Sequence, residues 1–353
     1  MDERAIPNQI GNPIPAWDLQ HRLPIDAAVG PDCWDGGTIF RINSTYMDVT
    51  EQPYLQRQWT AAATLIACCG IAAGFWTYYL TRILYPKNGG LFGDLFCLAL
   101  IVFFSYLAFK SGRDEFFGLK RRPIRFNRLE KKLYSIRRRR FFSKSNVGDI
   151  TWEATWDKNS LFCIHKEKTN FGLYYHIRHY TVDGDGNVTS AFSIGRAWFG
   201  NLTLLLAQWN YWCWYMNRGP ADLPKPMLFH TEHESLRESF LFAMYGFGMV
   251  GSPTYRIAMM PFTLLWACFR ILAIATCRNP VWPKSVELLS VVAAEDPYNQ
   301  PRGDTPVGWA ETALAQERHD YPYSSKKEMD NWHGEKDGEA NASLWAEDAP
   351  SKI

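Results

Sequence analysis

Two stretches of the chain lack polar alternation altogether. Trp59–Leu80, "WTAAATLIACCGIAAGFWTYYL", carries no charged residue, and Leu91–Phe109, "LFGDLFCLALIVFFSYLAF", carries only Asp94. Each is long enough to cross a bilayer core, which takes about 20 apolar residues. Trp59, Trp76, Tyr78 and Tyr79 sit towards the ends of the first, where amphipathic rings favour the interface. "YPKNGG" between them forms a turn. The pattern predicts a transmembrane helical hairpin over 58–110, with spans at 59–80 and 91–109. Asp94 reads as an interfacial acid near a helix start.

Beyond the hairpin the period changes to two. "PIRFNR", "KKLYSIRR", "DITWEATW", "LFCIHKEK", "FGLYYHIRHYTV" and "VTSAFSIGR" read as successive antiparallel strands. In the first, Ile124 and Phe126 share one face, and Arg125 and Asn127 take the other. That places Arg125, Arg128, Arg137 and Arg139 largely on exposed surface. "DGDGN" at 183–187 is a hairpin turn. It is not a calcium loop, because Val188 stands where the loop needs Gly and Ile194 where it needs a bidentate acid. "GGTIFRINSTYMDV" at 36–49 adds a further strand. The run "AWFGNLTLLLAQWNYWCWYMNRG" is an aromatic helix ended by Gly219-Pro220. Strands followed by one long helix make an α+β membrane protein. The specific expectation is a pleckstrin-homology-like (PH-like) barrel over 111–219, capped by that helix.

A helical extension follows over 220–298. Its apolar segment 257–277 is interrupted by Pro261 and Arg270. An Arg at a helix centre costs roughly 2.5–3.5 kcal/mol to insert, so the expectation is an interfacial or protein-buried helix rather than a third span. Thr231 to Glu234 fits a capping box that opens a helix. From Arg302 the chain is polar and poor in aliphatics, and 299–353 reads as an acidic disordered tail in which Trp332 and Trp345 are isolated docking anchors.

Charge is segregated although the net value is only +2. The N-terminal segment 1–57 is acidic, and the stretch after Phe109 is strongly basic. Positive charge beside a span stays on the cytoplasmic side. That puts the N-terminus and the β domain in the cytoplasm and the hairpin tip outside. Arg121, Arg122, Arg125, Arg128, Arg137, Arg138, Arg139 and Arg140 are the candidate contacts to a membrane surface or an acidic partner. No nucleic acid is expected, since membrane proximity accounts for the basic run.

Catalytic and metal signatures do not appear. The eight cysteines form no CxxC pair, which points away from a disulfide framework and a zinc site. His230 and His233 lack the rest of HExxH. His165, His176 and His179 lie on strands, with His176 and His179 on opposite faces. There is no GxSxG, P-loop or dinucleotide fingerprint. The expectation is a non-enzyme without a cofactor or metal.

Four ordered stretches carry a resemblance: "GGTIFRINSTYMDV", "RRPIRFNRLEKKLY", "WYMNRGPADLP", and "ATCRNPVWPKSVE" with "EDPY". Over about residues 36–298 the chain resembles an uncharacterised family of proteobacterial membrane proteins with two spans and a cytoplasmic domain. Their genes lie beside type VI secretion effectors and other interbacterial toxins. The resemblance implies a multi-pass bacterial inner-membrane protein that binds a toxin or secretion component, as immunity protein or effector accessory. The alternative is a membrane-anchored PH-like module that reads anionic phospholipid.

Overall fold

The computed structural model describes residues 9–30, 32–84, 91–137, 150–169, 172–197, 202–246, 252–324 and 327–328. In chain order the elements are α1 (Ala16–Gln20), β1 (Asp32–Cys33), β2 (Ile39–Ile42), β3 (Tyr46–Thr50), α2 (Gln52–Leu55) and α3 (Arg57–Ala62). A π-helical stretch, Ala63–Gly70, leads into α4 (Ile71–Leu84), and α5 (Leu91–Phe116) follows. Then come β4 (Pro123–Asn127), β5 (Lys132–Arg137), β6 (Ile150–Thr155), β7 (Leu161–Thr169), β8 (Gly172–Val182), β9 (Val188–Ala197) and α6 (Leu202–Arg218). The chain continues through α7 (Leu236–Gly246), α8 (Pro253–Thr276), α9 (Lys284–Leu288), α10 (Gly308–Glu317) and β10 (Lys327–Glu328). Two compact units result. A β unit takes Met1–Gln52, Arg122–Glu232 and Val281–Ile353, and a helical unit takes Pro53–Arg121 and His233–Pro280.

The β unit holds a five-stranded antiparallel sheet, β2-β3-β4-β5-β6, and a three-stranded antiparallel sheet, β7-β8-β9. The expected barrel does not close among the described residues. "GGTIFRINSTYMDV" contributes two strands, because Asn43 and Ser44 break the run with a turn. Asn43 Oδ1 there accepts the backbone N–H groups of Thr45 and Tyr46. β3 and β4 pair from Tyr46↔Asn127 to Thr50↔Pro123, although the sequence between them holds α2 to α5. Alternation sends Met47, Val49, Ile124, Phe126 and Leu133 inwards, all essentially inaccessible.

Against those side chains lies α6, buried on nearly every side. Trp209, Tyr211, Trp212, Cys213 and Tyr215 are fully enclosed. Several buried polar tips on this helix find partners, although the Trp212 indole N–H has no hydrogen-bond acceptor among the described residues. Trp209 Nε1 donates to Pro24 O (2.9 Å) and Tyr215 Oη to Asn43 O (2.8 Å). Asn210 accepts from Val29 N and donates to Asp32 O, which ties the 29–32 loop to the helix. Trp152 of β6 stacks on Phe192 of β9 at 3.7 Å, which joins the two sheets. Gly195 in β9 has no side chain where a Cβ would meet Trp212 at 3.2 Å.

The expected disordered tail is ordered through Ser324. Gln300 and Ile42 exchange backbone hydrogen bonds, and Gly308 N donates to Phe229 O. Tyr321 Oη donates to Pro226 O (2.7 Å). Apolar residues spaced along α10, including Ala310 and Ala315, are buried and offset the polar composition. Trp332 and Trp345 lie outside the described residues.

In the helical unit the α3–α4 run packs antiparallel on α5. Arg82 meets Asp94 at 3.0 Å near one end, and Ala61 packs with Phe116 near the other. Ala273 of α8 joins the latter contact. Many apolar side chains face outwards, among them Leu80, Phe96, Val102, Phe109, Ile257 and Phe262. Three helical runs are long and apolar enough to cross a membrane: Arg57–Leu84, Gly93–Arg113 and Pro253–Thr276. The helix does not open at Thr231 as expected but at Leu236. Ser235 Oγ caps α7 by accepting Glu238 N–H (3.2 Å), and the Glu234 carboxylate goes to Arg270 instead.

Phe126 contacts Trp156 and Trp212 in the centre of the β unit. Phe126→Ala should lower unfolding stability by about 3–5 kcal/mol. Denaturant titration of the detergent-solubilised chain, read by tryptophan fluorescence, checks this.

Candidate functional site

The arginines expected on the surface divide between interior and edge. Arg125 does lie on the face opposite Phe126, but that face is covered. Asp48 stands directly across the β3–β4 ladder, and the two side chains form a bidentate pair at 2.7 and 2.6 Å. The guanidinium lies 4.0 Å from the Tyr46 ring and 4.7 Å from the Trp282 ring. Arg137 is also buried. It pairs with Glu51, donates to Ser193 O (2.9 Å) and lies over Phe192. Both correct the expectation of an exposed basic face. A charge leaves water only when a partner and hydrogen bonds replace its hydration, and here they do. Arg128 is half-buried and donates to Ser44 O (2.9 Å). Arg121 and Arg122 are half-buried, each with an interaction partner. Arg138, Arg139 and Arg140 lie outside the described residues.

Sequence reasoning missed the densest polar constellation. Residues 11–25 run as a strap across the outer face of β7-β8-β9. Gly11 and Asn12 hydrogen-bond to Val188, and Leu23 N donates to Phe162 O at the other edge. Under the strap, Asp18 is buried and accepts from Tyr180 Oη (2.5 Å) and His165 Nδ1 (2.8 Å). His176 pairs with Glu167 at 2.8 Å beside them. Arg178, fully buried, completes the row with His176 and Tyr180 on the outward face of β8. Burial pushes the Cys163 thiol up to about 12, and burial with the neighbouring Asp18 also raises the Tyr180 phenol. Both stay protonated near neutrality. Asp18 and His165 are 147 positions apart, and no local motif announces such a pair.

A second feature is a cleft of about 350 Å³ beside the β6–β7 turn. Lys132, Glu153, Asp157, Ser160, His179 and Thr181 are among the residues that line it. Asp157 Oδ1 accepts Asn159 N–H (2.8 Å), and hydrogen bonding to Thr155 helps hold its carboxyl below the usual range. His179, packed on Trp152 and Phe162, is pushed down to about 4 by burial, so its ring is neutral. His176 and His179 do face opposite ways. Among the described residues no cluster of three or more His, Cys, Asp or Glu is placed to hold a metal ion.

Residues 101–294, more than half of the chain, match the model of a family of unknown function, DUF6708, and the chain belongs to that family. The family's description carries no secretion system, toxin or bacterial lineage. No curated protein and no solved structure matches the chain.

Two outcomes follow from this geometry. Arg125→Ala leaves Asp48 buried without its partner and should cost about 3–5 kcal/mol, measured as a shift in denaturant midpoint. His179 is neutral in the fold down to about pH 4 but charges below 6.5 when unfolded. Its contribution is therefore complete above pH 6.5 and falls away towards pH 4, by about 3 kcal/mol. Stability measured across that window should lose this limb in His179→Phe.

Proposed function

We propose that the protein is a non-catalytic, membrane-anchored binding protein whose β unit, held in the cytoplasm, recognises a protein partner. The α3–α4 run and α5 serve as a transmembrane hairpin. The support for anchoring is their length, apolar composition and outward-facing apolar side chains. Basic flanks favour the cytoplasmic side for the β unit. An antiparallel meander, a second three-stranded sheet and a following helix favour a PH-like arrangement, a scaffold suited to recognition.

The observation that carries the choice of partner is the internal pairing of Arg125 with Asp48 and of Arg137 with Glu51. It withdraws two cations from the face expected to read anionic lipid. The cleft beside β6 has mixed charge instead, with Glu153 and Asp157 near Lys132. Acidic groups repel anionic headgroups, whereas mixed polarity suits a protein surface. The sequence resemblance supplies the partner class, a toxin or secretion component.

The test is crosslinking of the tagged full-length chain in its own membranes, with captured proteins identified by mass spectrometry. A toxin or secretion component should be recovered with the parent protein and lost with a Glu153→Lys, Asp157→Lys double variant that keeps its thermal stability. Recovery of phospholipid alone overturns the reading in favour of a lipid module.

A further inference from the structure

An edge strand presents a row of unpaired backbone groups, and folded chains cover such edges. The two larger sheets have their edges at β2, β6, β7 and β9. β2 exchanges hydrogen bonds with Gln300 at Ile42, and its Ile39 O accepts from His230 N. β7 meets the strap, where Leu23 N donates to Phe162 O and Ile164 N to His21 O. β9 is held at Val188 by Gly11 and Asn12, and its Ser193 O accepts from Arg137. β6 differs from these three.

The register shows which groups β6 leaves open. Trp156 N donates to Lys131 O (2.7 Å), and the ladder with β5 runs from Lys132↔Thr155 to Arg137↔Ile150. Opposed residues in an antiparallel pair alternate between bonded and non-bonded positions. Ile150, Trp152 and Ala154 therefore bond to β5. Thr151, Glu153 and Thr155 point their N–H and C=O groups the other way. Thr155 O accepts from Ser160 Oγ (2.6 Å). Among the described residues, no hydrogen bond takes the outward groups of Thr151 and Glu153 or the Thr155 N–H. All three residues are exposed.

The cleft described above lies along this edge. Glu153, Ala154 and Thr155 line it from β6, with Asp157 at the turn. Lys132 is the cation in its lining and stands 3.9 Å from Glu153, a pair open to water that compensates little charge. The lining is therefore acidic in excess. A second copy added antiparallel about Glu153 would set two Glu153 side chains against each other, which is unfavourable. A cationic strand meets the complementary charge.

We propose that β6 is a docking edge, onto which an extended, lysine- or arginine-bearing segment of a protein partner adds as a further strand. The proposal rests on the partner-binding reading above and gives its mode. Main-chain bonds to Thr151 and Glu153 supply affinity, and the acidic cleft selects the side chains.

The detergent-solubilised full-length chain is titrated with a fluorescent peptide of alternating lysine and valine. Anisotropy reads the binding, and hydrogen exchange reads the amides of 150–155. The peptide should bind and slow exchange at Thr151 and Glu153. The same peptide N-methylated at every residue should bind about tenfold more weakly or worse, having lost its main-chain donors. An alternating glutamate–valine peptide should also bind more weakly. Thr151→Pro removes an outward N–H, spares the bonds to β5, and should weaken binding at unchanged thermal stability. Glu153→Lys, which keeps every backbone group, should shift the preference towards the glutamate–valine peptide and serves if the proline variant does not fold. Equal binding of the N-methylated peptide overturns strand addition, as does binding without protection of β6 or no binding at all. A change of oligomeric state in Thr151→Pro without loss of peptide affinity overturns it in favour of a second copy. If the peptide fails while crosslinking still recovers a protein, only this mode falls. If crosslinking recovers none, the partner-binding reading falls with it.

Discussion

A helix buried on nearly every side is the constraint around which the β unit closes. Ordinary helices keep one wet face, which lets them tolerate imperfect neighbours. α6 has no such margin. Its indoles and phenols need apolar walls in several directions and hydrogen-bond partners at their tips. The walls come from β4, β8 and β9, and the tips of Trp209, Tyr215 and Tyr211 are met by carbonyls at Pro24, Asn43 and Pro224. No single local stretch supplies all of this. The N-terminal segment is therefore drawn into the core of a unit whose strands begin far along the chain.

The same physical rule governs buried charge in both units. In the β unit, Arg125 and Arg137 are enclosed because carboxylates, aromatic faces and carbonyls replace water. In the helical unit, Arg57 does the same against Glu115 and the carbonyls of Leu119 and Lys120, and Arg270 against Glu234. Each guanidinium has several donors in a planar fork, so one side chain satisfies acceptors on separate segments. These pairs fix geometry more than they add stability, since replacing both partners with apolar groups is often neutral.

The strand sequence from β4 to β9 and the end of the aromatic helix at Gly219 were legible because periodicity is a local property, whereas the expected start at Ala197 belongs to β9 and α6 begins at Leu202. Both apolar runs before Arg121 were legible too. Arg125 shows where that reading stops. Alternation assigned its face correctly, but solvation depended on Asp48 and Trp282, both distant in sequence. The helix expected from Thr231 opens later, with Ser235 capping it and Glu234 paired with Arg270, a residue 36 positions away. The polar residues beyond Arg302 looked disordered because their partners, Ile42, Pro226 and Phe229, lie far upstream. The site under the strap was illegible for the same reason. Asp18 is an ordinary acid in the sequence and becomes the hub of a network only when β7 and β8 form beneath it.

The backbone exchange between Ile42 and Gln300 also has a meaning in time. A ribosome delivers β2 and β3 first, then the apolar helices, then the remaining strands, and the closing segment last. Contacts of such long range are slow to form, and unpaired strand edges are exposed until they do. The early strands must wait, incompletely covered, through the synthesis of most of the chain. A polypeptide stalled before residue 300 would carry an open sheet edge, a substrate for chaperones and proteases.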